Sequence, residues 1–141
     1  MKPRVFLDTN IFIYAFEFSE SNSRKIIGLL NLGNIEGVVS ERVLEEIIHY
    51  FKKFYNKKLA NMVRYYVLQS CQIVFKEEIK QEMRKLKTEI KEKDLEQIAV
   101  VKKFGLKHII SYDKDFTGFK EYITPKRFVV TQDLKPSKTE F

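Results

Sequence analysis

The sequence predicts an α/β fold of three layers, in which a mainly parallel sheet of about five strands lies between layers of helices. Two observations support this prediction. Short apolar runs alternate along the chain with longer segments of helical periodicity, which is the pattern of β-α-β units. The length of 141 residues also suits one domain, and no repeat or internal linker interrupts it. We therefore expect a single domain over residues 1–141, with its core in about 4–128.

Five short apolar runs are predicted to be strands, because polar residues, glycine or proline bound each of them. The runs are Val5–Leu7, Gly37–Ser40, Ile73–Phe75, His108–Ser111 and Glu121–Thr124. We expect Pro125 to stop the last strand. Val129 and Val130 either extend this strand or form a separate edge.

The segments between these runs carry apolar residues at helical spacing. The predicted helices are Ile11–Phe16, Glu20–Leu32, a helix capped by Ser40 that reaches Phe51, a helix that starts at Asn56 and passes Val67, a helix through Ile79, Met83, Leu86 and Ile90, and a helix from Asp94 to Gly105. The chain after Thr131 is polar, and we expect it to be loosely held. Residues 129–141 form a tail to which the sequence assigns no role.

The composition limits the kinds of site that the chain can build. Lysine and arginine number 26 against 19 aspartates and glutamates, and the resulting net charge of +7 favours a polyanionic partner. The single cysteine excludes an internal disulfide framework, and with only two histidines it cannot supply a four-ligand zinc site. A metal site would therefore use carboxylates, which prefer Mg²⁺ or Mn²⁺.

The composition also bears on location. A lone thiol suits a reducing cytoplasm, where we expect the protein. The longest apolar run near the amino terminus, Ile11–Phe16, is too short for a signal-peptide core or a membrane span. We therefore expect no membrane partner.

Carboxylates lie where the predicted strands end. Asp8 follows the first strand, and Asp113 and Asp115 follow the fourth. Asp94 opens the helix that leads into the fourth strand, and Glu46 lies about two turns into the helix after the second. Because functional sites of open α/β sheets form at the carboxyl ends of the strands, we expect these acids to converge. A divalent cation would relieve their mutual repulsion, and phosphodiester hydrolysis is the reaction that uses such a site on a basic protein.

Each acid also has a purely structural alternative. Asp8 and Asp94 lie where helix caps lie, and the two aspartates after the fourth strand can be turn residues. Glu46 can be a solvated helix residue, because the position of Glu41 or Glu45 along the same helix suits a site residue equally well. A functional site is therefore predicted only from the joint placement of the acids at one edge of the sheet.

Four segments in order resemble the PIN-domain family of metal-dependent ribonucleases, of the VapC toxin type. They are FLDTNIFIYAF at 6–16, SERVLEEIIHYF at 40–51, KDLEQIAVVKKFGLKHIISYDKDF at 93–116 and ITPKRF at 123–128. The resemblance covers nearly the whole core, and its register selects Glu46 rather than Glu45 as the acid of the second motif. One departure is Val43, which stands at a position that is commonly threonine in the family.

The resemblance implies a Rossmann-like PIN domain and a metal-dependent endoribonuclease. One or two Mg²⁺ or Mn²⁺ ions would be bound by Asp8, Glu46, Asp94 and Asp113, and a metal-activated water would attack the RNA. The supporting residues implied are Asn10, Ser40, Ser111 and Asp115. The resemblance also implies a homodimer and a small antitoxin protein as partner, as in a VapBC-type toxin–antitoxin pair.

The segment Ile47–Phe75 contains no aspartate or glutamate. Its basic residues are Lys52, Lys53, Lys57, Lys58 and Arg64, and its interleaved aromatic residues are Phe51, Phe54, Tyr55, Tyr65 and Tyr66. Such a mixture suits single-stranded RNA, because cations contact phosphates and rings stack on bases. The alternative is a solvated helical hairpin whose rings face the core.

Three other functions remain open from the sequence. The first is a PIN nuclease that processes ribosomal RNA. The second is a phosphohydrolase of the haloacid-dehalogenase type, although its first motif needs a second aspartate where this chain has Asn10. The third is a catalytically silent PIN scaffold, which the presence of all four acids disfavours.

Overall fold

The computed structural model describes residues 2–139 and 141, and in them it shows one sheet of five strands in the order β3-β2-β1-β4-β5. The strands are β1 Arg4–Leu7, β2 Glu36–Ser40, β3 Cys71–Val74, β4 His108–Ile110 and β5 Tyr122–Ile123. Every neighbouring pair is parallel. The predicted α/β class and the five-stranded parallel sheet are therefore confirmed.

Seven α-helices flank the sheet within the described residues. They are α1 Thr9–Glu17, α2 Asn22–Asn31, α3 Glu41–Phe54, α4 Lys57–Ser70, α5 Lys80–Leu86, α6 Glu92–Phe104 and α7 Pro125–Thr131. Ser40 and Asn56 cap α3 and α4 as predicted, since their side chains accept hydrogen bonds from the backbone N–H groups of Val43 and Leu59. Gly105 ends α6 in the left-handed conformation, with φ of 58°.

The sheet order determines which helices share a face. Right-handed crossovers place α1 to α4 on one face, and the return from β3 to β4 places α5 and α6 on the other. In the central strand β1, Val5, Phe6 and Leu7 are fully buried, as expected of a parallel strand covered on both sides. In β2, a Cβ atom at Gly37 would lie 3.0 Å from both the Cys71 Sγ and the Leu7 Cδ1, so this position needs glycine.

The expectation for Val129 and Val130 is wrong, because both residues lie in α7. Pro125 stands at the first turn of that helix, where its missing N–H costs nothing. The Thr124 side chain accepts a hydrogen bond from the Arg127 N–H at 3.3 Å and caps the helix. Proline and a capping threonine thus outweigh the strand preference of the two valines.

Two helix starts also differ from the prediction. The segment through Ile79 is not one helix but a 3₁₀ turn, Lys76–Ile79, followed by α5. The Phe75 N–H donates to the Glu78 carboxylate at 2.8 Å and closes this turn. Asp94 does not open α6, because the helix begins two residues earlier and places Asp94 inside its first turn.

The tail is not loosely held where the structure describes it. The Ser137 N–H donates to the Asn22 Oδ1 at 2.7 Å, and the ring of Phe141 lies 4.2 Å from that of Tyr14 between centroids. These contacts fix the tail against α1 and α2. Among the described residues no helix combines the length and the apolar character that a membrane span requires.

Candidate functional site

Asp8 lies at the carboxyl end of β1, at the centre of the sheet. The pairing of Leu7 with Ile110 places it beside Ser111, the residue that follows β4. The Ser111 hydroxyl donates to the Asp8 Oδ2 at 2.6 Å, and the Thr9 N–H donates to the Asp8 Oδ1 at 2.9 Å. Asp8 therefore caps α1 and faces the site at the same time.

The pKa of Asp8 is raised from 3.8 to about 6, mainly by burial and also by the charges of Glu46 and Asp113, although hydrogen bonds from Ser111 and Thr9 oppose the change. The cause is the loss of hydration of a carboxylate that lies among other carboxylates. The chain therefore contains an acid whose charged form needs a cation nearby.

The loop after β4 holds its acids through a short series of hydrogen bonds. The Asp113 N–H donates to the Ser111 Oγ at 2.9 Å, and the Asp115 N–H donates to the Asp113 Oδ1 at 2.9 Å. Ser111, predicted as a supporting residue, thus links Asp8 to Asp113 by hydrogen bonds. Asp113 also serves as the turn residue that the structural alternative described.

Asp94 reaches the same place from the first turn of α6. It is only 6% exposed, and burial and the charge of Asp113 both raise its pKa. Carboxylate oxygens of Asp94, Asp113 and Asp115 all lie within 4.8 Å of one another. Asp115, predicted as a supporting residue, therefore lies as close to the other acids as a ligand would.

Glu46 approaches from α3, and its side chain is 45% exposed. The Thr9 hydroxyl donates to the Glu46 Oε1 at 2.8 Å, which brings this glutamate next to Asp8. Glu45 is exposed and, with Glu46, lines a cleft beside the acids. Ser40, predicted as a supporting residue, is fully buried and acts through α3, because its hydroxyl accepts the Val43 N–H at 3.1 Å.

Two lysines lie against the acids. The Lys93 Nζ is 2.7 Å from the Asp115 Oδ2 and 3.9 Å from the Asp113 Oδ2, and the Lys91 Nζ is 3.7 Å from the Asp115 Oδ2. The hydrogen bond between Lys93 and Asp115 lowers the pKa of Asp115 and raises that of Lys93. Asp115 is therefore neutralised by the chain itself, in contrast to Asp8.

Sequence reasoning missed Thr9 as a partner of Glu46, and it missed Glu96. Glu96 is only 6% exposed and accepts the Arg42 N–H at 2.7 Å. With Glu46 it lines a cleft of about 490 Å³ beside the acid cluster. The available signal was a glutamate three and four residues before Ala99 and Val100, a spacing that places a carboxylate on an apolar face of α6.

Asn10 lies outside this arrangement. It is exposed in the first turn of α1, and its side chain makes no hydrogen bond within the part of the chain that the structure describes. The residues that the structure brings together at the carboxyl ends of β1 and β4 are Asp8, Glu46, Asp94, Asp113, Asp115 and Ser111.

The basic segment forms the α3–α4 hairpin. All five of its cations are exposed: Lys52, Lys53, Lys57, Lys58 and Arg64. Its aromatic rings differ in burial. Phe51 is fully buried, as expected of a ring that faces the core, whereas Phe54 is 61% and Tyr65 66% exposed and can meet a partner. Lys53 lies seven residues after Glu46 on α3, about 10 Å further along the helix axis.

The donor set fits a hard divalent cation. Carboxylate oxygens are the ligands that Mg²⁺ and Mn²⁺ prefer. Three carboxylate oxygens lie within 4.8 Å of one another, and Asp8 adds a fourth acid whose pKa is raised by burial and by its neighbours. A cation at this place would satisfy charges that the described residues only partly neutralise.

A family model of the PIN domain matches residues 5–122 of the chain. The chain belongs to the PIN domain family. The match spans β1 to the start of β5 and therefore includes every strand that carries the acids. No curated protein matches the sequence.

Solved structures share the fold of this PIN domain at low sequence identity. A chain of a toxin–antitoxin complex from Klebsiella pneumoniae is 21% identical with a TM-score of 0.66, over 86% of this chain and 97% of that one. A chain of VapBC2 from Rickettsia felis, bound to a DNA fragment from its promoter, is 19% identical with a TM-score of 0.67, over 86% and 96%. VapC20 from Mycobacterium tuberculosis, described as a sarcin–ricin loop cleaving toxin, is 16% identical with a TM-score of 0.60, over 81% and 93%.

Proposed function

We propose that this PIN domain is a metal-dependent endoribonuclease that hydrolyses RNA phosphodiester bonds with Mg²⁺ or Mn²⁺. The observation that supports it most strongly is the meeting of Asp8, Glu46, Asp94 and Asp113 at one edge of the sheet in a chain of net charge +7. An acidic cluster repels the one phosphate group that lies against it unless a cation lies between the acids and that phosphate. Hydrolysis of a phosphodiester uses such a cation directly.

The side chains divide the work in this proposal. Asp8, Asp94 and Asp113 would hold the cation, and Glu46 would complete the carboxylate set from α3. The Ser111 hydroxyl donates a hydrogen bond to the Asp8 carboxylate and keeps it in place. The Thr9 hydroxyl does the same for the Glu46 carboxylate. A bound divalent cation supplies charge that stabilises the phosphate oxygens and lowers the pKa of water.

Cleavage of a 5′-labelled single-stranded RNA in Mn²⁺, followed on a denaturing gel, tests this proposal. We expect the wild-type protein to cut the RNA, and we expect EDTA or the Asp8→Asn substitution to abolish cutting. Glu46→Gln should also lose activity, whereas its neighbour Glu45→Gln is the matched control and should retain it. Cutting that survives both EDTA and Asp8→Asn would exclude the proposed mechanism.

We also propose that the protein is the toxin of a VapBC-type pair and acts as a homodimer in the cytoplasm. Its structural neighbours include chains of toxin–antitoxin complexes. The hairpin offers exposed apolar side chains for a partner, namely Phe54, Met62, Tyr65 and Leu68. The free thiol of Cys71 suits a reducing compartment.

Two measurements test these partners. Light scattering on the purified protein should give twice the mass of 16.8 kDa, and a value of one chain mass would contradict the homodimer. Co-expression with the small protein encoded by the adjacent gene should give a stable complex that no longer cleaves RNA. RNA cleavage at an unchanged rate in the presence of that protein would favour a PIN nuclease that processes ribosomal RNA.

We further propose that the exposed cations of the hairpin attract RNA from solution. This proposal is supported by the absence of any aspartate or glutamate between Ile47 and Phe75, so that no acid offsets these cations along the segment.

The haloacid-dehalogenase alternative gains no support, because the family match is to the PIN domain. Mn²⁺ binding by calorimetry separates a nuclease from a silent scaffold.

A further inference from the structure

A second cleft borders the acid cluster, on the side of β5. It has a volume of about 310 Å³, and three lysines from separate parts of the chain line it: Lys114, Lys126 and Lys138. No aspartate or glutamate lines this cleft, which we call the lysine cleft, within the described residues. The neighbouring cleft beside Glu46 has four glutamates in its lining, so the charge changes sign over a short distance at the same edge of the sheet.

The lysine cleft uses the same loop as the acid cluster. Tyr112 and Lys114, which line the cleft, stand on either side of Asp113 in the sequence. Tyr122 lines the cleft from β5, and the charge of Asp113, after burial, contributes to a raised pKa of this tyrosine. A strand of RNA whose phosphate lies at Asp113 would therefore continue into the lysine cleft.

The tail supplies one wall of this cleft through Lys138 and Thr139. It is fixed on both sides of these residues. The Ser137 N–H donates to the Asn22 Oδ1 at 2.7 Å, and the Phe141 carbonyl accepts from the Tyr112 hydroxyl at 2.9 Å.

Rings and a lysine strengthen this anchoring. The ring of Phe141 stacks on that of Phe18 with centroids 5.4 Å apart. The Lys25 Nζ donates to the Lys135 carbonyl at 2.6 Å. Lys138 is therefore brought to the cleft by contacts to α1 and α2 on either side of it.

We propose that the lysine cleft is a subsite for single-stranded RNA, which binds the nucleotides next to the bond that is cut, and that the tail completes this subsite. Ammonium groups pair with phosphates, and the ring of Tyr122, which lines the cleft, offers a face on which a base stacks. The proposal rests on the proposed function, because it takes RNA as the substrate. It assigns a role to residues 129–141, for which the sequence suggested none.

The test is the affinity for a fluorescein-labelled single-stranded RNA of 12 nucleotides, measured by anisotropy in EDTA so that no cleavage occurs. The variant Lys114→Gln/Lys126→Gln/Lys138→Gln loses three charges from the cleft. A matched control loses three exposed lysines near the amino ends of strands, at the opposite edge of the sheet: Lys2→Gln/Lys107→Gln/Lys120→Gln. Circular dichroism establishes that both variants are folded.

We expect the cleft variant to bind RNA at least about 10-fold more weakly than wild type. The slope of log K against the logarithm of the salt concentration should become less steep by about 2, as expected for three lost phosphate contacts to a single strand. The control variant should lose less than about 3-fold in affinity. Equal affinities of the two variants, or no RNA binding by the wild-type protein, would overturn the proposal. So would a cleft variant that keeps RNA affinity but no longer binds the antitoxin, because the cleft would then be a protein contact.

Phe141→Ala tests the contribution of the tail, because it keeps all three lysines and removes the ring that anchors the tail, and with it Lys138. We expect an affinity between those of the wild type and the cleft variant. An affinity equal to that of the wild type would overturn the role of the tail. The nuclease activity is a separate result: RNA binding without Mn²⁺-dependent cutting would refute the proposed function and leave the RNA subsite in place.

Discussion

The carboxylate cluster and the α3–α4 hairpin differ in how the fold controls their side chains. In the cluster, Asp94 is almost fully buried, and Asp8 is held by hydrogen bonds from Ser111 and Thr9. On the hairpin, every lysine is exposed. Lys53 lies against a ring of its own helix, with its Nζ 5.3 Å from the centroid of Phe54.

This difference shows where single residues matter. The strand ends position Asp8 and Asp113, and α3 and α6 bring Glu46 and Asp94 to them. Each acid therefore has a fixed place, and the loss of one cannot be compensated by another. The cations of the hairpin act together through their summed field, so each can be replaced at little cost. Substitutions in the two regions should therefore differ in effect by orders of magnitude.

Within the loop after β4, the largest effect is expected at Asp113. Asp113→Asn should lower the rate of Mn²⁺-dependent RNA cleavage by about 10²–10³, because it removes a charge at the centre of the cluster. Asp115→Asn is the matched comparison, since Lys91 and Lys93 already neutralise that acid. We expect it to cost only about 10-fold, in the range of residues that orient a ligand. Single-turnover rates at saturating protein measure both, and equal losses would show that Asp115 is itself a ligand.

A second expectation concerns the stability of the metal-free protein. Because the pKa of Asp8 is raised from 3.8 to about 6 in the folded state, its protonated form stabilises the fold, and this contribution is lost as the pH rises from about 4 to above 6. Asp8→Asn removes the ionisation. In EDTA, we expect the variant to be more stable than wild type by about 2 kcal/mol at pH 7.5, with no such gain at pH 3.5.

Urea unfolding at several pH values measures this difference, and comparison of the two proteins cancels the other titrating groups. A variant that is less stable than wild type at pH 7.5 would show that the hydrogen bonds of Asp8 outweigh the cost of its charge. Excess Mn²⁺ at pH 7.5 should make the wild type more stable than the variant, because only the wild-type site has all the carboxylates that bind the cation.

The smallest effect is expected on the hairpin. Lys53→Gln should change the affinity for single-stranded RNA by less than about 2-fold at 150 mM salt, because an exposed charge is largely screened over a Debye length of about 8 Å. Replacement of Lys52, Lys53, Lys57 and Lys58 together should weaken binding several-fold at 50 mM salt and much less at 200 mM. Anisotropy titrations at both salt concentrations measure this. A large effect of the single substitution would mean that Lys53 contacts RNA directly.

Local signals in the sequence were sufficient for the sheet and for most of the acids. Each strand is a short apolar run with a polar end, and parallel strands bring those ends to one edge, so the meeting of Asp8 with Asp113 could be predicted without coordinates. The register of the second motif similarly favoured Glu46, whose carboxylate accepts the Thr9 hydroxyl.

Contacts between distant side chains could not be predicted in this way. The ion pair of Lys93 with Asp115 depends on how α6 packs against the loop after β4, and hydrophobic periodicity carries no information about it. The same holds for the tail, whose polar composition suggested looseness although Phe141 packs on Tyr14. Val129 was misassigned because strand propensity is weaker than the combined signal of a threonine cap and a following proline.

The most direct test of the central claim is the anomalous diffraction of a crystal soaked in Mn²⁺, measured at the manganese edge. We expect one or two anomalous peaks from ions coordinated by carboxylates of Asp8, Asp94 and Asp113, and no peak there in a crystal of Asp94→Asn. A wild-type crystal without a peak at this cluster, at a Mn²⁺ concentration that supports RNA cleavage in solution, would show that these acids do not hold the metal.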